Sequence, residues 1–133
     1  MNFRLVANIT SYVLWVEAGF LLLPLAVSVF SGEAWLPFFI TAVLCILIGG
    51  ALHLVPVKNR KMHGRDGFMA VALGWIALSL TGALPYVLTG ALDSYVDAVF
   101  ETVSGLTTTG STVFPEVEHL PYSVLLWRSL TQW

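Results

Sequence analysis

Three long apolar runs, separated by short polar segments, occupy the first two thirds of the chain. They cover residues 5–30, 35–57 and 68–92. A helix of about 20 apolar residues is long enough to cross the hydrocarbon core of a bilayer. The pattern therefore predicts three transmembrane helices, and the apolar run at residues 123–133 predicts the start of a fourth.

The first run also has to be weighed as a secretory signal peptide. Ala26-Val27-Ser28 would offer a small-residue cleavage site. The apolar core of a signal peptide is only about 7 to 15 residues long, whereas this run is longer. The length favours a helix that is retained in the membrane.

A different pattern follows the third run. Ser94, with Asp97 three residues later, has the form of a helix N-cap with a capping box, and Gly105 is placed to end that helix. The predicted half-helix covers residues 94–105. Its helical part, Tyr95 to Ser104, is roughly 15 Å long at 1.5 Å per residue, about half the hydrocarbon thickness. Such a half-helix enters the membrane but does not cross it.

An uncharged, hydroxyl-rich run comes directly after the predicted half-helix, at residues 106–112. Irregular backbone at membrane depth is tolerated only where it is buried in protein or lines a water-filled path. Gly110 can take a positive φ and turn a carbonyl toward an axis. Carbonyl oxygens placed in this way replace the water around a dehydrated cation. The candidate cation-binding residues are Thr107, Thr108, Thr109, Gly110 and Ser111.

Composition excludes an ordinary soluble domain. Hydrophobic residues make up 57% of the chain and charged residues 11%, and the mean hydropathy is +0.83; soluble domains have about a quarter of their residues charged. The chain is expected to be an integral membrane protein in a lipid bilayer, with no nucleic-acid partner. The single Cys45 lies in an apolar run, so it is interpreted as a packing residue.

The charges are segregated along the chain. Residues 58–67 hold four of the six basic residues, and the positive-inside rule places that loop and the N-terminus in the cytoplasm. Six of the eight acidic side chains then fall on the outer side, where an acidic mouth concentrates cations. For Glu116 and Glu118 the alternative is simple solvation of a loop. The outer acidic set is Glu33, Asp93, Asp97, Glu101, Glu116 and Glu118.

Three charged residues lie at membrane depth. Glu101 is about 10 Å into the half-helix and Arg128 about 9 Å into the last helix, counted from the same surface. Isolated charges at that depth are costly, which favours an ion pair behind the 106–112 run. The alternative is that Arg128 extends to the headgroups while Glu101 meets water. Glu17 is either a functional carboxylate or a helix contact.

Three segments together resemble a known family: Phe100–Thr112, Leu120-Pro121 and Leu126–Trp133. They resemble the first pore region of the Trk-type potassium uptake proteins, the membrane subunit of the Trk/Ktr superfamily. The resemblance implies an all-α integral membrane fold with two leading transmembrane helices, followed by the first helix, pore-loop, helix repeat of a potassium-channel-like fold.

The resemblance also implies a division of the chain and a role for the hydroxyl-rich run. An N-terminal helix pair (1–57) and a cytoplasmic basic loop (58–67) would precede the first pore repeat (68–133). That repeat would consist of an outer helix (68–92), a half-helix (94–105), a filter (106–112) and the start of an inner helix (123–133). The filter would be one of four strands around a pore, and potassium would bind at Thr108, Thr109 and Gly110.

Further expectations follow from the resemblance alone. The chain would be a fragment of a longer multi-pass protein of the cytoplasmic (inner) membrane. That protein would be a homodimer controlled by a cytosolic nucleotide-binding regulatory subunit. This chain would bind potassium ions and no organic cofactor.

Two alternative functions stay open at this point. An intramembrane enzyme could use one of the threonines at 107–109 as a nucleophile, but a threonine needs an adjacent general base. The only nearby histidine, His119, falls at the outer mouth. A non-transporting membrane anchor would leave the half-helix without a purpose.

Overall fold

The computed structural model describes residues 2–133, and helices are the only regular elements in that range. Three stretches are long and apolar enough to cross a membrane: Phe3–Ser31, Leu36–His53 and Gly64–Leu88. The predicted all-helical membrane class is thereby confirmed. The helices are α1 (Phe3–Ser31), α2 (Leu36–His53), α3 (Gly64–Gly82), α4 (Leu84–Leu88), α5 (Tyr95–Leu106) and α6 (Tyr122–Gln132).

The leading helices α1 and α2 form a pair that packs against the rest of the chain. α1 is 29 residues long and contacts α2, α3 and α6. α2 ends at His53, four residues before the predicted end of the second span. Pro56 accounts for the difference, because the residue before a proline is pushed out of the helical region.

The third helix starts earlier than the apolar pattern predicts. His63 is its N-cap and forms a capping box with Asp66, whose Oδ2 accepts the His63 backbone N–H at 3.0 Å. Asp66 Oδ1 also accepts the backbone N–H of Asn2 at 2.8 Å, so one carboxylate ties the start of α1 to the start of α3. Residues 64–67, predicted as loop, are therefore the first turn of a helix.

The outer span is interrupted between α3 and α4. Pro85 lacks a backbone N–H and cannot continue the hydrogen-bond ladder, and the helix breaks at Ala83. The Gly82 carbonyl instead accepts the indole N–H of Trp127 at 3.0 Å. This bond fixes α6 to the outer span at its break.

The start of the half-helix is predicted correctly, and its end is not. Ser94 is the N-cap residue of α5, as expected, but the predicted capping box is absent, because the Ser94 side chain makes no capping hydrogen bond. Gly105 lies inside the last turn, and a Cβ there would stand 2.5 Å from Thr131 Oγ1. The glycine thus permits close contact with α6 instead of ending α5.

Thr108 ends α5 in place of Gly105. Its φ is 58°, in the left-handed region. The N–H of Thr109 donates to the Ser104 carbonyl at 2.9 Å and the N–H of Thr108 donates to the Gly105 carbonyl at 3.0 Å. These two bonds form a Schellman motif, which satisfies carbonyls at the helix end.

Candidate ion-binding site

The hydroxyl-rich run follows the C-terminal end of α5, and its residues 107–112 form neither helix nor strand. Residues 107–112 are exposed on this chain. Gly110 has φ of 81°, and a Cβ built on it would meet nothing within 4 Å. The requirement for glycine at this position is therefore conformational and not steric, as expected where a carbonyl must turn away from the strand direction.

The descending part of the run is held by its own hydroxyl groups. Thr107 Oγ1 donates to the Val103 carbonyl at 2.7 Å and lies 2.8 Å from Thr109 Oγ1. Ser104 Oγ, in the last turn of α5, donates to the Ser111 carbonyl at 2.6 Å. The run is thus attached to the half-helix on both sides of Gly110.

A buried carboxylate holds the ascending part. Glu101 is 2% exposed, and its Oε2 accepts the Thr112 hydroxyl at 2.9 Å and the Val113 N–H at 3.1 Å. Its Oε1 accepts Arg128 Nε–H at 2.7 Å. The carboxylate therefore joins three segments: α5, the run and α6.

The sequence predicts that Glu101 and Arg128 lie at similar depths, and in the structure the two side chains form an ion pair. The Arg128 side chain is 20% exposed and the Glu101 side chain 1%. An ion pair sheltered in this way keeps more of its attraction than a surface pair, provided that the remaining acceptor sites are filled. Thr112 and Val113 fill them.

The electrostatics of this end of α5 favour a cation. The carbonyls at a helix C-terminus carry a partial negative charge equivalent to about half an elementary charge. Leu106 is the last helical residue of α5 and the first residue of the run. A cation beside residues 107–110 would lie close to that negative end.

Besides Glu101, two of the predicted outer carboxylates have specific partners. Glu33 is bonded to the first turn of α6, and Glu116 Oε2 lies 3.1 Å from His119 Nε2. Both side chains of the second pair are exposed, so the pair adds little stability. His119 therefore stands next to a loop carboxylate and not next to a threonine of the run.

Glu17 contacts other helices and not the run. It is 4% exposed, and its Oε2 accepts the Thr81 hydroxyl at 2.5 Å and the Cys45 thiol at 3.8 Å. Its Oε1 faces Gly82, where a Cβ would stand 3.2 Å away. Of the two sequence interpretations, these contacts match the helix contact.

Sequence reasoning missed several residues of the site. Ser104 and Thr112 were predicted only as parts of the half-helix and the run. Thr108 was predicted as a potassium ligand but not as the residue that ends α5, and the role of Glu33 was not predicted. Their partners are set by the tertiary fold. The one local signal that was available is the spacing of Ser104 and Glu101 on one face of α5, one turn apart.

Comparisons with known proteins identify the family. A family model described as TrkH, a cation transport protein, matches residues 36–133. The Trk system potassium uptake protein TrkH of Halomonas elongata is 36% identical over 100% of this chain and 28% of its own length. The Trk system potassium uptake protein TrkG of Escherichia coli is 36% identical over 95% of this chain and 27% of its own.

A solved structure agrees with these matches. The crystal structure of the potassium transporter TrkH from Vibrio parahaemolyticus superposes with a TM-score of 0.93 at 32% identity, over 100% of this chain and 29% of that chain. The chain spans less than a third of the length of these relatives. The resemblance drawn from the residues is confirmed, and so is the fold class. The chain belongs to the TrkH family of cation transport proteins.

Proposed function

We propose that the protein takes up potassium across the cytoplasmic membrane, and that residues 106–112 form one of the four strands of its selectivity filter. The observation that carries the proposal is the Glu101 network, which holds an exposed run of backbone at the end of a half-helix. Two similar proteins are named as potassium uptake proteins, which supports the choice of ion.

The ion would bind to main-chain oxygens. Thr107, Thr108 and Thr109 would supply carbonyls below Gly110, and Ser111 would follow it toward the outside. A filter selects by offering oxygens that replace the hydration shell of the ion. The oxygens must hold their positions without the ion, and the bonds from Ser104 and Glu101 to the run supply that support.

The remaining expectations enter this proposal as well. The N-terminus and the basic loop at residues 58–67 would face the cytoplasm. The full-length protein would be a homodimer with a nucleotide-binding regulatory subunit. Potassium would be its ligand, without an organic cofactor. The threonine-nucleophile alternative has less support, because the Thr107 hydroxyl donates to Val103 and His119 is next to Glu116.

A substitution that neutralises Glu101 tests the proposal. In the full-length transporter, Glu101→Gln keeps the size of the side chain but removes its charge beside Arg128. Breaking a buried pair by changing one partner costs about 3–5 kcal/mol. We expect the discrimination of potassium against sodium in proteoliposome uptake to fall about tenfold or more.

Asp66→Asn provides a matched control. Asp66 is another fully buried carboxylate that accepts backbone N–H groups, but it lies in the first turn of α3 and takes no part in the Glu101 network. Its neutralisation is expected to lower thermal stability and leave the potassium-to-sodium ratio unchanged. An unchanged ratio in Glu101→Gln, in protein that folds and inserts, contradicts the proposed filter.

A further inference from the structure

Among the side-chain hydrogen bonds of residues 2–133, those with the greatest sequence separation link the leading helix pair to α6. Glu33, in the turn between α1 and α2, accepts the backbone N–H of Tyr122 at 2.8 Å and that of Ser123 at 3.1 Å. The Ser123 hydroxyl donates to the same carboxylate at 2.6 Å. The two segments are 89 and 90 residues apart in sequence.

This carboxylate caps α6, which has no cap of its own. The N-cap residue is Pro121, which makes no side-chain capping bond. The first N–H groups of a helix lack partners within the helix and attract negative charge. Burial tends to raise the pKa of Glu33, but the bonds from Ser123 and Tyr122 outweigh it and lower the pKa below its ordinary 4.5.

The leading pair is itself fixed, so it can act as a support. Glu33 follows Gly32, whose φ is 71°, and the Glu33 N–H donates to the Ser28 carbonyl at 2.9 Å. Lower down, Glu17 of α1 is bonded to Thr81 of α3 and to Cys45 of α2. The turn that carries Glu33 therefore has a set position relative to the outer span.

A continuous series of bonds runs from this turn to the filter. Glu33 holds the first turn of α6 at Ser123, and Arg128 lies five residues further along the same helix. Arg128 donates to Glu101, which accepts bonds from Thr112 and Val113. A shift of α6 along its axis would move Arg128 away from Glu101.

We propose that Glu33 is a positioning residue for potassium selection: the leading helix pair sets the depth of α6 and, through Arg128 and Glu101, the position of the filter strand. The inference rests on the proposed function of the 106–112 run. It gives the first two helices, which precede the half-helix and the run in the sequence, a part in ion selection.

The experiment compares Glu33→Gln with Glu118→Gln in the full-length transporter. Glu118 is an exposed loop residue from the same acidic set, so its variant measures the effect of losing one negative charge. Two readouts are followed: hydrogen–deuterium exchange over residues 122–126, and the potassium-to-sodium ratio in proteoliposome uptake. Ser123→Ala, which removes one donor only, is the milder variant should Glu33→Gln fold poorly.

The expected result is that Glu33→Gln speeds exchange in the first turn of α6 about tenfold, because hydrogen bonds to a charged acceptor are lost. The potassium-to-sodium ratio should fall with it, and Glu118→Gln should change neither as much. Unchanged exchange overturns the inference, as does faster exchange with an unchanged ratio. An equal effect of Glu118→Gln on the ratio also overturns it.

The two proposals fail in different ways. If Glu101→Gln lowers the ratio and Glu33→Gln does not, the filter stands and the role of Glu33 is wrong. If Glu101→Gln leaves the ratio unchanged, the filter assignment itself is wrong. The exchange measurement does not depend on transport and reports on the cap in either case.

Discussion

Replacing Gly110 by alanine separates a conformational effect from a steric one. The residue has φ of 81°, and a Cβ would have nothing within 4 Å, so the substitution adds no clash. A left-handed conformation costs a residue with a Cβ about 1–2 kcal/mol. The strand can avoid this cost only by rotating the peptide, which turns a carbonyl away from its place. A difference of this size changes the population of the native strand conformation by about 5- to 30-fold.

Gly90→Ala is the matched control for this variant. Gly90 has φ of 77°, and a Cβ there would also have nothing within 4 Å. It follows α4 and takes no part in the bonds of Glu33 or Glu101. We expect both variants to lose a similar amount of thermal stability in the full-length protein. Only Gly110→Ala should lower the potassium-to-sodium ratio in proteoliposome uptake.

A ratio that stays at its wild-type value in folded Gly110→Ala refutes the reasoning, since a strained strand would then have no effect on selection. An equal loss of selectivity in Gly90→Ala also refutes it. In that case the effect would follow general stability and not the conformation of the run.

Three further outcomes are expected. Gly105→Ala places a Cβ 2.5 Å from Thr131 Oγ1 and should lower the free energy of unfolding by about 1–3 kcal/mol through overpacking. Adding Thr131→Ala should recover part of the loss. Equal melting temperatures of the single and double variants would argue against the contact. Arg128→Lys keeps the charge but not the planar group that meets Glu101, so the potassium-to-sodium ratio should fall, by less than in Glu101→Gln; a larger fall would count against the pair. The lowered pKa of Glu33 means that its bonds contribute fully above pH 4.5 and are lost as the pH falls through the lower folded-state value. Melting curves of wild type and Glu33→Gln should therefore differ near neutral pH and converge in acid, and a constant difference would contradict this account.

The sequence predicts the spans and the depth of charged residues, because these depend on sums along the chain. Apolar character over about 20 residues identifies a span, and the rise per residue gave Glu101 and Arg128 the same depth before any contact was known. The structure has their Nε and Oε1 atoms 2.7 Å apart.

Features that depend on tertiary partners could not be predicted in this way. A glycine near a helix end serves either as a left-handed terminator or as a site of close approach, and local sequence does not separate the two uses. Gly105 proved to be the second, because Thr131 packs on it. Ser94 looked like a capping residue, while the capping carboxylate of another helix, Glu33, lies 89 residues from the N–H it accepts.

The left-handed backbone of Thr108 has a consequence for attempts to transplant this ion site. A β-branched residue with φ of 58° is an unfavourable choice for an isolated peptide. Excised from its neighbours, the segment would relax toward ordinary dihedral angles, and its carbonyls would scatter. Grafting residues 107–112 into another scaffold should therefore yield no selective pore unless Glu101, which accepts the Thr112 hydroxyl, and Arg128 are transferred with them.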